Sequence, residues 1–171
     1  MNAIVAVDSR WGIGYKGRLL FSIPEDMRNF KRMTLGRAVV MGRKTLLSLP
    51  GGRPLPEREN IVLTHSSDFK AEKVSVIHST AELLRKLSAY NPGNVFCIGG
   101  AEIYRLLLPY CNTAYITKVF REKPADCFFP DLDADTAWKS DLRSDIMTSG
   151  DLEFQFCRYV NKKPLKQYIS H

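Results

Sequence analysis

Asp26 lies in the segment Ser22-Ile23-Pro24-Glu25-Asp26-Met27-Arg28-Asn29-Phe30-Lys31, four residues before an aromatic. Ser22 and Glu25 have capping-box spacing and Pro24 suits a first helical turn, so the segment reads as a helix with Asp26 and Phe30 on one face. Met27 and Met33 flank that side. A carboxylate among apolar neighbours is costly to bury, and burial raises its pKa. Such a group suits holding a polar edge of a ligand or managing a proton. Asp in a first turn also interacts favourably with the helix dipole, and position alone does not separate the two readings.

Two further segments suit phosphate. Ile98-Gly99-Gly100-Ala101-Glu102 joins an apolar strand to a helix start, where free backbone amides can meet an anion. Val39-Val40-Met41-Gly42-Arg43-Lys44-Thr45 repeats the pattern and adds two cations and a hydroxyl. Tight strand-to-helix packing, or a solvated basic turn, explains either one alone. Together they suit the two ends of one extended, multiply phosphorylated cofactor. The three-glycine dinucleotide fingerprint is missing, so a Rossmann fold is not implied. Trp11-Gly12-Ile13-Gly14-Tyr15-Lys16-Gly17 and Gly51-Gly52-Arg53-Pro54-Leu55-Pro56 are turn-rich. Their glycines allow close backbone approach or loop motion, or serve simply as turns.

The elements that must position these residues alternate. Strand-like runs cover residues 3–7, 38–41, 61–63, 74–77, 95–98 and 114–119, several continuously apolar as in strands buried on both faces. Between them, Ser79 and Glu82 have capping-box spacing before Leu83, Leu84 and Leu87. Ile103, Leu106 and Leu107 mark another helix, stopped by Pro109. This order predicts an α/β domain with a largely parallel sheet, and the alternation around Phe154 and Phe156 predicts a late antiparallel strand. One domain is expected over residues 1–160, with 161–171 a loose tail.

Length (171 residues) and apolar content (44%) fit one globular core. No run is long enough to span a bilayer and the start lacks a basic leader, so a cytoplasmic protein is expected. Cys97, Cys111, Cys127 and Cys157, with three scattered histidines, have no metal-ligand spacing. The net charge of +7 implies an acidic partner: nucleic acid, a phosphorylated cofactor or a polycarboxylate substrate. Its basic residues form no aromatic-interleaved stripe, which argues against nucleic acid.

In order and spacing these segments resemble the dihydrofolate reductase family, bacterial type. The resemblance rests on Ile4-Val5-Ala6-Val7 with Gly12-Ile13-Gly14; Ile23-Pro24-Glu25-Asp26 with Phe30-Lys31; Met41-Gly42-Arg43-Lys44-Thr45; Arg53-Pro54-Leu55-Pro56 with Arg58 and Asn60; Ile98-Gly99-Gly100 with Ile103-Tyr104; Tyr115-Ile116-Thr117; and Phe129-Pro130-Asp131. It implies a mixed, mostly parallel eight-stranded sheet flanked by about four helices. The implied activity is NADPH-dependent reduction of 7,8-dihydrofolate to tetrahydrofolate, in support of one-carbon metabolism.

Under this resemblance Asp26 and Thr117 would hold the pterin's amino-amide edge, with Leu19 and Phe21 also at the catalytic end. Ile4, Ala6, Met27, Phe30, Leu49, Leu55 and Ile98 would line the substrate. Arg58 would fork onto the glutamate α-carboxylate, with Lys31 nearby. The loop from Gly12 to Leu20, including Gly14 and Gly17, would close over the nicotinamide, with Ala6 and Ile13 in contact. Gly99, Gly100, Ala101, Glu102, Ile103 and Tyr104, with Ile98, would hold the pyrophosphate and nicotinamide side. Gly42, Arg43, Lys44 and Thr45, with Leu63, Thr64 and His65, would face the adenosine end, the cations selecting the 2′-phosphate. The expected partners are dihydrofolate and antifolate-like small molecules, for a monomer without metal, nucleic acid or membrane.

The chain departs from the family's pattern at Leu20-Phe21, where Pro-Trp is usual; Phe21 keeps a ring and loses the N–H donor. Glu102 stands where some bacterial members carry a basic residue, and Leu46 where an aromatic is frequent. A relative acting on another pterin-like or pyrimidine ring, an inactive relative, and a basic nucleic-acid binder are the competing readings. The last predicts steeply salt-dependent binding without NADPH oxidation.

Overall fold

The computed structural model describes residues 1–166. Strands β1 (Asn2–Val7), β2 (Gly12–Tyr15) and β3 (Arg18–Leu19) precede helix α1 (Pro24–Thr34). Next come β4 (Ala38–Gly42), α2 (Arg43–Ser48), β5 (Glu59–Leu63), β6 (Val74–Ile77), α3 (Thr80–Leu87), β7 (Val95–Gly99), α4 (Ala101–Leu107) and β8 (Thr113–Val119). Strands β9 (Cys127–Phe128), β10 (Trp138–Arg143), β11 (Met147–Ser149) and β12 (Leu152–Asn161) complete the chain. Eight strands run in the order β10-β12-β8-β1-β7-β4-β5-β6, with β11 added on β12, and β3-β2-β9 form a small separate sheet. From β8 through β6 every pairing is parallel, and β12 is antiparallel to β10, β11 and β8. This is the expected mixed sheet with four helices.

The apolar strand runs divide by alternation into two cores. Ala3, Val40, Ile61 and Cys97 point to the face covered by Leu83 and Leu87 of α3 and Leu107 of α4. Ile4, Val39, Val62 and Phe96 point the other way, toward Phe30 and Met33 of α1 and Leu46 of α2. Both faces of the central strands are therefore buried, which is why their sequences do not alternate with polar residues. No helix among the described residues is long and apolar enough to cross a membrane.

Two local expectations are corrected. Ile23, not Ser22, is the N-cap of α1, and no side chain caps it. Pro24 at the start removes one orphan N–H, and Glu25 and Asp26 followed by Lys31 and Arg32 match the helix dipole, so the helix does not depend on a Ser cap. The Ser79 cap does form, accepting from Glu82 N at 3.2 Å. At the other end, β12 carries the fold past residue 160. The buried Asn161 side chain donates to the Cys111 carbonyl (3.0 Å), and Leu165 N–H donates to the Pro109 carbonyl (2.8 Å). Of the expected tail, residues 167–171 lie outside the described residues.

Candidate active site

Helix α1 and strand β8 meet at one polar contact. Thr117 Oγ1 donates to Asp26 Oδ1 at 2.5 Å. Thr117 is buried in the sheet, in register with Ala6 of β1. Burial raises the Asp26 pKa above the ordinary carboxylate range, and the Thr117 hydrogen bond opposes that rise. Asp26 is therefore not merely a first-turn acid facing solvent: a strand far away in sequence supplies its partner.

Below Asp26 the α1 face continues into the second core. Ile4, Phe30, Leu49, Leu55 and Ile98, all expected at the substrate, belong to this single apolar cluster. Arg58 lies at the far end of α1, donating from its guanidinium to Thr34 Oγ1 (3.2 Å) and to the Pro56 carbonyl (2.8 Å). Asp26 and Thr34 are eight residues apart, about 12 Å along the helix. Partial burial lowers the Arg58 pKa, with Glu57 acting the other way, and a guanidinium stays charged throughout. The buried Asn60 side chain positions this arginine. It accepts from Leu55 N (2.9 Å) and donates to the carbonyls of Leu55 (2.8 Å) and Arg58 (3.0 Å). Met27 (59% exposed) and Lys31 (exposed) lie on α1 outside the cluster.

The two strand–glycine–helix junctions end the adjacent parallel strands β4 and β7. They interlock rather than standing at opposite ends of a site. A Cβ on Gly42 would come within 3.2 Å of Ile103, and one on Gly100 within 3.4 Å of Thr45 Oγ1. Gly99 is the tightest position: its φ is +114°, and a Cβ there would approach Tyr104 to 2.9 Å. That ring cannot move aside freely, because its buried hydroxyl donates to the Ile4 carbonyl at 2.7 Å. Neither N-cap, Gly42 or Gly100, provides a capping side chain, so the first amides of α2 and α4 are left for other acceptors. Arg43 and Lys44 are exposed there, as are Glu102 and Arg105; Ala101 is half-buried.

Carboxyl ends of parallel strands are where open α/β sheets bind ligands. Here β1, β7, β4 and β5 present Ala6, Gly99, Gly42 and Leu63-Thr64 in that spatial order. At about 4.8 Å per strand the row is about 14 Å long, the scale of an extended dinucleotide. Thr64 is buried and its N–H donates to the Ile77 carbonyl (2.9 Å), while His65 is exposed. Uncapped helix amides, two exposed cations and a row of this length fit a phosphorylated dinucleotide.

Several expected site residues lie outside the apolar cluster of Phe30. Leu19 is 84% exposed on the short strand β3, outside the apolar clusters, because a two-residue edge strand has no core above it. Phe21 packs with Ile23, Val119 and Phe154 in a third cluster, separate from that of Phe30. Ile13 and Leu63 turn their side chains into the α3–α4 core. Gly14 lies in β2 paired with Cys127, and Gly17 turns the chain with nothing within 4 Å of where a Cβ would be.

Sequence reading missed Asp8, a buried carboxylate accepting from Gly12 N (2.7 Å), Arg10 N (2.8 Å) and Lys123 N (3.1 Å). An Asp ending an apolar strand just before a glycine loop is a legible turn signal. Lys123 has no comparable local signal.

The dihydrofolate reductase family model matches residues 1–161. A dihydrofolate reductase of Bacillus subtilis (strain 168) is 35% identical over 168 residues, covering 97% of each chain. One from Staphylococcus haemolyticus is 38% identical over 139 residues, 81% of each chain. Among solved structures, dihydrofolate reductase from Enterococcus faecalis complexed with NADP(H) and RAB-propyl superposes with a TM-score of 0.83 at 32% identity, covering 94% of this chain and 95% of that one. With a family model spanning nearly the whole chain and a near full-length relative, this protein belongs to the dihydrofolate reductase family.

Proposed function

We propose that this chain reduces 7,8-dihydrofolate to 5,6,7,8-tetrahydrofolate using NADPH, acting as a cytoplasmic monomer. One observation carries the substrate assignment: a Thr117-bonded Asp26 and an Asn60-braced Arg58 stand at opposite ends of α1, with an apolar wall between them. A folate has the matching order of groups, a hydrogen-bonding ring, an aromatic spacer and a carboxylate.

Asp26 accepts from the amino-amide edge of the ring, a planar donor pair suited to a carboxyl group. Thr117 fixes which Asp26 oxygen is free. Phe30, Leu49 and Leu55 exclude water from the ring and spacer, which strengthens the polar contacts at Asp26. Arg58 forks onto the glutamate α-carboxylate. In the reaction the ring carbon gains hydride and the adjacent nitrogen gains a proton. A carboxyl kept protonated to higher pH than usual is the group of this chain suited to managing that proton. NADPH, when bound, supplies the hydride. The amides opening α2 and α4, with Arg43, Lys44 and Thr45, hold its phosphates, and the two cations favour the 2′-phosphorylated form.

The test is direct. Purified protein mixed with NADPH and dihydrofolate should consume both at equal rates, followed by NADPH absorbance. Folded protein that oxidises no NADPH above background would rule this function out. Sedimentation would test the monomer.

A further inference from the structure

Lys123 is tied at both of its ends. Its backbone N–H donates to Asp8 Oδ2, while Oδ1 of the same carboxylate accepts from Gly12 and Arg10. Its ammonium donates to the Leu20 carbonyl at 2.8 Å and lies 4.7 Å from the centroid of the Phe21 ring. The neighbouring carboxylate of Asp151 is engaged by Arg121 instead. Both ends of the segment Gly12–Leu20 thus converge on one residue, Gly12 through Asp8 and Leu20 directly. Between these points the support comes from the buried Ile13 side chain, from backbone pairing of β2 with β3 and β9, and from Lys16 N–H donating to Asp126 Oδ2 (2.9 Å). A Cβ on Gly17 would meet nothing within 4 Å, and Leu19 is largely exposed.

We propose that Lys123 is a positioning residue: its ammonium clamps the C-terminal end of the glycine loop, through the Leu20 carbonyl and the Phe21 ring, and so fixes how the chain enters α1 with Asp26. A charged donor to a carbonyl is stronger than a neutral one, and the face of an aromatic ring adds a second attraction for the same cation. The Phe21 side chain has no hydrogen-bonding group, so beside its packing with Ile23, Val119 and Phe154 its ring face is where the cation can attract it. Only three residues separate Leu20 from Pro24, the first residue of α1. Slack at Leu20 therefore passes to Asp26 with little chain to absorb it. The role in catalysis rests on the reductase function proposed above; the clamp itself does not.

The experiment compares wild type, Lys123→Met, which keeps the stem without the charge, and Lys123→Arg, which restores a cationic donor. Hydrogen–deuterium exchange of the ligand-free proteins should show amides 14–21 exchanging about tenfold faster in Lys123→Met, the size of one lost charge-assisted hydrogen bond. Exchange in α3 through local opening should be unchanged, and the melting temperature should fall by only about 2–6 °C. The kcat for dihydrofolate reduction should fall about three- to tenfold with KM within about twofold, and Lys123→Arg should recover both readouts. Unchanged loop exchange in Lys123→Met overturns the clamp, and faster exchange with unchanged kcat overturns the positioning role. If wild type oxidises no NADPH, the reductase function fails, and the exchange comparison still decides the clamp.

Discussion

Thr117 and Asp26 are 91 residues apart in sequence and share a 2.5 Å hydrogen bond, a side-chain link from strand β8 that orients a carboxyl group of helix α1. Its electrostatic consequence has a definite sign. Folding raises the Asp26 pKa through desolvation, with Thr117 pulling it back. Asp26 is therefore at no disadvantage at pH values where it is protonated in both folded and unfolded states. Its cost to stability sets in as pH rises through the ordinary carboxylate range, where the unfolded chain ionises, and is complete above the raised folded value. Asp26→Asn, which never ionises, should melt higher than wild type at pH 7 and match it near about pH 3. The same variant should keep folate-analogue binding and lose about 100-fold or more in kcat near neutral pH, the scale of a lost acid–base group. Thermal melts and steady-state rates across pH check both halves.

Thr117→Val preserves shape and removes the donor. The hydrogen bond lowers the Asp26 pKa, so the inflection in the pH–rate profile should move to higher pH in this variant. A profile superimposable on wild type would mean that the bond does not govern the titration of the site.

Arg58 is braced by Asn60 and Thr34 at the far end of α1. Arg58→Ala should raise KM for dihydrofolate roughly 10- to 100-fold, the scale of a lost charge-assisted contact, with kcat changed little. Steady-state titration of dihydrofolate at saturating NADPH separates the two parameters.

Gly99 has a positive φ and no room for a methyl group against Tyr104. Gly99→Ala should cost about 2–4 kcal/mol, combining backbone strain with overpacking. Gly150→Ala is the control: it shares a positive φ but has nothing within 4 Å, so it should cost only about 1 kcal/mol. Urea midpoints of the two variants measure the packing contribution by difference.

Arg43 and Lys44 are exposed at the start of α2. Replacing both by Ala should reduce the preference for NADPH over NADH about tenfold and flatten the salt dependence of the NADPH KM, since exposed charges act through screened attraction. Paired titrations of the two cofactors at low and high salt report it.

The central strands and α1, α3 and α4 were legible because burial on both faces leaves continuous apolar runs, and helical faces carry their own period. Asp26 and Phe30 share a face legible from helical spacing, whereas Leu49, Leu55, Arg58 and Thr117 were legible only through the resemblance to the family; the fold gathers Phe30, Leu49 and Leu55 into one cluster and bonds Thr117 to Asp26. The strands β2, β3, β9 and β11 were not, being two to four residues long and held by pairing rather than by a hydrophobic pattern. Strand β10, with one buried residue in six, carries almost no period-two signal. The Lys123–Leu20 contact joins positions 103 apart through a backbone carbonyl, which every residue type has, so no choice of residue at position 20 could announce it. The Ser22 cap failed because a helix opened by proline has less need of one.

Strand β12 pairs along β8 from Phe154↔Val119 to Val160↔Thr113, with Phe156 opposite Thr117. A ribosome makes β12 after all the other described strands. While the chain is being synthesised, β8 has β1 on one side and an open row of backbone donors and acceptors on the other, directly beside the strand position that holds Asp26. The nascent protein can thus assemble its parallel sheet and α1 before it can complete the strand that carries Thr117, and that bare edge is where it is most exposed to pairing with the wrong chain.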